Sequence, residues 1–175
     1  MKKILIVVDM QVDFISGALG TPEARAIVEN AAGKIEAFEG DILVTFDTHQ
    51  NDYLETAEGK KLPVPHCIAG TDGWQLDARI AEALSARKWQ MVEKPSFGST
   101  RLPQLVRELA GNDDDLSIEL IGLCTDICVV SNALILKAHF PEAKIQVDSA
   151  CCAGVSLETH KAALATMACC QIDIQ

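Results

Sequence analysis

Apolar residues along the chain form short unbroken runs, separated by longer segments in which apolar positions recur every three or four residues. The runs predict six strands, at 3–9, 42–47, 90–93, 117–123, 144–148 and 171–174. The intervening segments predict helices at about 21–38, 73–87, 100–110, 126–138 and 156–169. Strands that are apolar throughout are typical of a parallel sheet covered on both faces. We therefore predict a three-layer α/β/α fold with a six-stranded, mostly parallel sheet.

One connection in this pattern is unusually long. Residues 48–72 show no clear periodicity and are rich in Asp, Glu, Gly and Pro. Loops of this length inside a compact domain are usually functional or disordered. Because this loop contains His49 and His66, we favour a functional role.

The bulk composition restricts the class of protein. A length of 175 residues predicts a single domain, over 1–175. The net charge of −10 argues against nucleic-acid binding, and no apolar run is long enough to cross a membrane. Seven cysteines, an odd number, without an export signal argue against a disulfide framework and favour a cytosolic protein. The adjacent pairs Cys151-Cys152 and Cys169-Cys170 are interpreted as core packing.

Polar residues follow several of the predicted strands at the point where each strand ends. Asp9, Asp47 and Lys94 hold such positions, and a tight turn before Cys128 follows a fourth strand. In parallel sheets these ends share one edge, where ligands bind. A single aspartate after a strand is usually a turn or cap residue, but their joint placement favours a site.

Cys128 is the candidate nucleophile. Thr125 or Asp126 is predicted to cap the following helix, which places Cys128 in its first turn. Free N–H groups and the helix dipole favour an anion there, so the thiol should lose its proton more readily. The alternative is that Cys128 is one more small buried hydrophobic residue.

Asp47, His49 and His66 form a second candidate cluster. Residues two apart in an extended segment can reach one ion, and a distant histidine completes a three-ligand metal site. The Asp-x-His spacing alone is a weak signal. His139 and His160 lie on predicted helices, away from the strand ends, and are interpreted as structural or solvated.

Three segments resemble the signatures of a known superfamily. They are Asp9-Met10-Gln11-x-Asp13-Phe14, Lys94 before Ser96-Phe97-Gly98-Ser99, and Gly122-Leu123-Cys124-Thr125-Asp126-x-Cys128-Val129. They are similar to the isochorismatase-like cysteine hydrolases, and within that superfamily to the nicotinamidases. The resemblance covers essentially the whole chain. It implies the isochorismatase-like, Rossmann-like hydrolase fold, hydrolysis of nicotinamide to nicotinate and ammonia, and a place in NAD salvage.

The resemblance also implies catalytic roles. Cys128 would be the nucleophile, Asp9 the proton acceptor and donor, and Lys94 the cation beside both. A carboxylate can take the thiol proton, and an ammonium lowers the pKa of both neighbours. Backbone N–H groups of Cys124 and Cys128 would hold the oxyanion. The resemblance further implies a cis peptide bond between Leu123 and Cys124.

The metal ligands and the substrate pocket follow from the same resemblance. Asp47, His49 and His66 match the ligands of one divalent ion, usually Zn²⁺, with Mn²⁺ or Fe²⁺ as alternatives, which holds the pyridine nitrogen. Phe14 and Leu123 would line the pocket, although Phe14 can equally be a core residue. Relatives commonly form dimers or tetramers, so a homo-oligomer is expected.

The chain departs from the nicotinamidase pattern at two places. The aromatic residue usual before the second metal histidine is missing from Leu62-Pro63-Val64-Pro65, and Tyr53 and Leu54 stand where a further histidine often lies. Another small-amide or ureido hydrolase is therefore the nearest alternative. Cleavage of isochorismate is disfavoured by Cys128 and the metal cluster. A non-catalytic binding module is disfavoured by the presence of Asp9, Lys94 and Cys128 together.

Overall fold

The computed structural model describes residues 1–111 and 115–175. Six parallel strands form one sheet in the order β3-β2-β1-β4-β5-β6. The strands are β1 Lys2–Val8, β2 Asp41–Asp47, β3 Trp89–Lys94, β4 Leu116–Leu123, β5 Lys144–Ala153 and β6 Asp173–Ile174. The predicted fold class and parallel sheet are confirmed.

Helices cover both faces of the sheet. They are α1 Val12–Ile15, α2 Pro22–Ala26, α3 Val28–Ala37, α4 Ala57–Lys61, α5 Ala78–Ser85, α6 Leu102–Ala110, α7 Val130–His139 and α8 Leu157–Cys169. Short 3₁₀ turns at Tyr53–Glu55 and Asp72–Trp74 and a π turn at Thr125–Val129 complete the regular structure.

The apolar residues divide between two cores, one on each side of the sheet. Successive residues of β1 alternate between them, because side chains alternate across a strand. Leu5 and Val7 pack with α3 and α5, whereas Ile4, Ile6 and Val8 pack with α6 and α7. Both faces of the sheet are therefore buried, as the unbroken apolar runs predict.

Some element boundaries differ from the prediction. The helix expected over 21–38 is two helices, divided at Ile27, and the helix expected over 73–87 is a 3₁₀ turn followed by the shorter α5. Strand β5 continues to Ala153, five residues beyond the predicted strand end at 148. It can do so because its pairing with β4 shifts register between Leu120 and Gly122.

The two cysteine pairs have different environments. Cys151 and Cys152 are buried at the end of β5, as predicted. The prediction is wrong for Cys169 and Cys170, which are exposed where α8 ends. Apolar character alone does not reveal that these two cysteines face solvent.

No helix in the described ranges combines the length and the apolar character needed to cross a membrane.

Gly122 allows β1 and β4 to approach each other closely. Its φ is +117°, and an added Cβ would lie 2.1 Å from the Val8 carbonyl oxygen. We expect Gly122→Ala to lower the free energy of unfolding by about 2 kcal/mol or more. The control is Gly33→Ala, within α3, where an added Cβ meets nothing within 4 Å. It should stabilise the protein by about 0.5–1 kcal/mol. Urea unfolding measures both values. A free energy of unfolding of Gly122→Ala equal to that of wild type would contradict the prediction.

Candidate active site

The ends of three adjacent strands bring charged side chains together. Asp9 directly follows β1, Asp47 ends β2 and Lys94 ends β3, with Asp47 and Lys94 paired in register. All three are buried, and Asp9 and Lys94 have no solvent exposure. The predicted convergence at the carboxyl edge of the sheet is therefore present.

Lys94 is at the centre of this group. Its Nζ lies 2.6 Å from Asp9 Oδ2 and 3.2 Å from Asp47 Oδ1. It also lies 3.3 Å from Cys128 Sγ and donates to the Ser96 carbonyl oxygen at 3.1 Å. A buried ammonium is tolerated only when it is paired and hydrogen-bonded. Here one cation joins two carboxylates and a thiol.

Asp9 is held in a fixed orientation. Its φ is +47°, and its backbone N–H donates to the backbone oxygen of Thr45. The Thr45 hydroxyl donates to Asp9 Oδ1 at 2.6 Å. Burial raises the pKa of Asp9, and the neighbouring Asp47 adds to this, whereas Lys94 acts in the opposite direction. A carboxyl group with a raised pKa is suited to accept and return a proton.

Cys128 lies in the π turn Thr125–Val129, which we call the nucleophile turn. The peptide bond between Leu123 and Cys124 is cis, as the resemblance implies. The predicted cap is wrong, because the turn is preceded by Cys124 and not by a capping Thr125 or Asp126. The side chains of Thr125 and Asp126 instead bond to the start of α8. The π turn continues directly into α7, so Cys128 lies in the first turn of the combined helical segment, as predicted, although the cap differs.

The protonation of Cys128 also differs from the expectation. Cys128 is 4% exposed, and its Sγ lies 3.3 Å from Lys94 Nζ. Burial and the Asp9 carboxylate raise the pKa of Cys128, and Lys94 offsets only part of this rise. The predicted ease of deprotonation is wrong for this reason. The thiol proton therefore needs a nearby acceptor, and Asp9 is the carboxylate that shares Lys94 Nζ with the thiol.

Asn132, on the first turns of α7, links the nucleophile turn to the loop after β3. Its Nδ2 donates to the carbonyl oxygens of Cys128, at 2.8 Å, and Phe97, at 3.2 Å. Its Oδ1 accepts from the Ser99 backbone N–H at 2.9 Å. One buried amide thus fixes the Cys128 backbone relative to the loop that follows Lys94.

A second group of donors lies beside the first. Ligand atoms of Asp47, His49, Glu58 and His66 all lie within 4.8 Å of one another. Glu58, on α4, was not predicted. Hydrogen bonds from His49 and His66, together with Lys94, hold the pKa of Asp47 well below its usual range although burial opposes this. The group is a candidate metal site.

The chemistry of these donors fits a divalent cation. His66 Nδ1 is 2.8 Å from the Val64 carbonyl oxygen, which leaves Nε2 directed at the cluster. Metal-bound histidines usually have such a partner on the other ring nitrogen. Two imidazoles and two carboxylates suit zinc, manganese or iron. Glu58 is 21% exposed, so the cluster is reached from the surface on that side.

A cavity of about 800 Å³ opens beside the donor cluster and is bordered by the nucleophile turn and the loop after Lys94. Its lining includes His49 and Glu58 from the donor cluster, Ile127 from the nucleophile turn, and the exposed side chains of Leu62 and Phe97. A cavity of about 950 Å³, beside α3, is remote from these residues.

The two residues predicted to line the substrate pocket are buried. Leu123 is 1% exposed and packs in the core with α3 and α5, so its role in the pocket stays a prediction. Phe14 belongs to the same core, and its ring meets the edge of His66 with centroids 5.5 Å apart.

The sequence did not identify several residues of the site. Glu58 lies in a loop without periodicity, and no spacing rule connects it with Asp47. Gln11 was part of a recognised segment but had no assigned role. Its side chain exchanges two hydrogen bonds with the Asp47 backbone, at 2.8 and 2.9 Å. His160 was placed away from the strand ends, whereas its ring is 2.8 Å from the Thr125 hydroxyl.

Comparison with known proteins identifies the class. A parallel α/β/α fold with a buried cysteine, aspartate and lysine at its carboxyl edge suits a hydrolase. Residues 3–174 match the Isochorismatase domain, so the chain belongs to the isochorismatase family. Within that family it is similar to nicotinamidases and pyrazinamidases of known structure.

Solved structures of similar proteins support this placement. The nicotinamidase/pyrazinamidase of Bacillus subtilis is 28% identical, covers 99% of both chains and superposes with a TM-score of 0.85. The N-carbamoylsarcosine amidase of Thermoplasma acidophilum is 26% identical, with a TM-score of 0.76, over 100% of this chain and 96% of the other. The pyrazinamidase of Pyrococcus horikoshii in complex with zinc, 23% identical with a TM-score of 0.82 over 100% and 99% of the chains, shares the fold.

Proposed function

We propose that the protein is a metal-dependent amidohydrolase that converts nicotinamide to nicotinate and ammonia through a thioester on Cys128. The observation that carries the proposal is the position of Lys94. Its ammonium contacts the thiol and Asp9 on one side and the candidate metal ligand Asp47 on the other. A nucleophile, a proton carrier and a cation site are thereby held in one buried group.

The first half of the reaction forms the thioester. Cys128 transfers its proton to Asp9, and the thiolate attacks the carboxamide carbon. Lys94 stabilises the negative charge while the proton moves. Backbone N–H groups of Cys124 and Cys128 would stabilise the tetrahedral oxyanion. Asp9 then returns the proton to the leaving nitrogen, the C–N bond breaks, and ammonia departs.

The second half restores the thiol. Asp9, now ionised, takes a proton from water, and the oxygen attacks the thioester carbon. The C–S bond breaks, the carboxylic acid leaves, and Cys128 is reprotonated from Asp9. The divalent cation would supply a positive charge that binds and orients the pyridine nitrogen. Asp47, His49, Glu58 and His66 would hold it, and zinc is the ion that we propose. As part of the same proposal, the protein acts in the cytosol and in the salvage of NAD.

The decisive measurement is ammonia release from nicotinamide by purified, thiol-reduced protein. We expect turnover that is lost after treatment with a chelator and returns when zinc or manganese is added. No release from metal-loaded, reduced protein would overturn the nicotinamidase proposal. An unchanged rate after chelation, with metal loss verified by elemental analysis, would overturn the metal requirement.

A second candidate function is hydrolysis of another small amide or ureido compound. Two observations favour it: the missing aromatic residue before His66 and the 26% identity with an N-carbamoylsarcosine amidase. A panel of N-carbamoyl amino acids and aliphatic amides separates the two functions. A kcat/KM for one of these above the value for nicotinamide would favour the second.

Glu58 provides a test of the metal site that does not depend on turnover. We expect Glu58→Gln to weaken zinc binding by about 10-fold or more, because a charged oxygen ligand is removed. Competition with a chromogenic chelator measures the affinity. The control is Glu55→Gln, an exposed carboxylate in the preceding 3₁₀ turn. Equal affinities of Glu58→Gln and Glu55→Gln would remove Glu58 from the ligand set.

A further inference from the structure

The nucleophile turn is attached to α8 by a partly buried hydrogen bond. Thr125 has no solvent exposure, and its Oγ lies 2.8 Å from His160 Nδ1. Burial lowers the pKa of His160, which favours the neutral ring, although Asp126 opposes the shift. A neutral imidazole can form this bond with a hydroxyl in either direction. Thr125 is three residues before Cys128.

A second contact joins the same two elements. The Asp126 carboxylate accepts from the Val155 backbone N–H at 3.1 and 3.2 Å. Val155 directly precedes the capping box in which Ser156 and Thr159 fix the first turn of α8. The turn is therefore held at two successive residues by one helix start.

The backbone of His160 is packed against the end of β5. A Cβ added to Gly154 would lie 2.9 Å from His160 Cβ and 3.0 Å from its Cα. The residue after β5 thus lies directly against the start of the His160 side chain, which fixes the place from which the ring reaches Thr125.

We propose that His160 is a positioning residue for Cys128, acting through Thr125 and the nucleophile turn. Its ring bonds to the Thr125 hydroxyl and acts on the thiol only through the turn. It holds the turn at the place where Cys128 Sγ lies 3.3 Å from Lys94 Nζ. The effect of His160 on turnover rests on the proposed amidase function. Its effect on the reactivity of the Cys128 thiol does not.

The test uses variants that break or keep the bond. His160→Leu and Thr125→Val remove it, whereas His160→Asn keeps a polar atom near the position of Nδ1 and Thr125→Ser keeps the hydroxyl. Because small misplacements of reacting groups cost about 100-fold, we expect a kcat loss of about 10- to 100-fold for the first pair. KM should change by less than about threefold. The second pair should lie within about fivefold of wild type.

A second readout is the rate at which iodoacetamide alkylates Cys128, resolved from Cys124 by fragment masses. We expect a loss of about 10-fold in the bond-breaking pair and rescue in the bond-keeping pair. The control is Lys161→Ala, at an exposed position beside His160. If His160→Leu fails to fold, Thr125→Val decides, since it preserves the side-chain volume.

Several outcomes would overturn the inference. They are wild-type alkylation in Thr125→Val, no rescue by His160→Asn, or a kcat loss without any change in alkylation. If the wild-type protein does not hydrolyse nicotinamide, the proposed function fails and alkylation alone decides the role of His160.

Discussion

Cys128→Ala is expected to release ammonia from nicotinamide about 10⁴-fold more slowly than wild type, or not measurably. Removal of a nucleophile from a set of residues that act together removes nearly all of their contribution. Zinc affinity should stay within about threefold, because Cys128 contacts Lys94 and not the donor cluster. Ammonia assays at enzyme concentrations high enough to detect the residual rate provide the measurement.

The matched control is Cys152→Ala. Cys152 is 3% exposed, against 4% for Cys128, and lies at the end of β5. It should retain nearly full kcat and lose only the stability that a small core truncation costs. If Cys128→Ala kept wild-type turnover, the thioester mechanism would be wrong. If wild type bound nicotinamide without turnover, a binding module would be the better description.

Lys94→Met is expected to cost about 3–5 kcal/mol of unfolding free energy as well as turnover. The substitution leaves Asp9 and Asp47 buried without their shared cation, and an uncompensated buried charge is costly. Denaturant unfolding in the presence of a chelator measures this cost without a contribution from bound metal. The control is Lys34→Met. Lys34 also pairs with two carboxylates, Glu119 and Asp148, but is 27% exposed.

A second substitution isolates the charge effect. Lys94→Met combined with Asp9→Asn should regain part of the lost stability, because one of the two unpaired carboxylates is then neutral. Lys34→Met should cost less than Lys94→Met, since water screens a partly exposed pair. Equal losses for the two lysine substitutions would show that the burial of Lys94 does not determine its contribution.

The sequence was a good guide where one local pattern determines position. Apolar runs located the six strands, and the carboxyl ends of parallel strands must meet at one edge. The convergence of Asp9, Asp47 and Lys94 follows from that topology alone. The ends of elements were less predictable. The apolar pattern of the sequence marks neither the break of a helix at Ile27 nor the continuation of β5 through polar residues.

Residues that act across elements could not be predicted. Glu58 reaches the donor cluster from a short helix within the long loop, and His160 reaches Thr125 from the last helix. The protonation of Cys128 was misjudged for a related reason. The predicted helix start suggested that the helix dipole would lower the pKa of Cys128. In the folded protein, burial and the Asp9 carboxylate raise this pKa instead.

The long loop after β2 is closed by the chain itself. His49 donates its backbone N–H to the Cys67 carbonyl oxygen at 3.0 Å and accepts from the Ala69 N–H at 2.9 Å. His49 and Ile68 thereby form a short parallel bridge, which brings His66 to His49. The entropy of closing this loop is lost when the protein folds and not when an ion binds. The protein should therefore behave as a preorganised chelator, unlike a zinc finger, and keep its cooperative unfolding when the metal is removed.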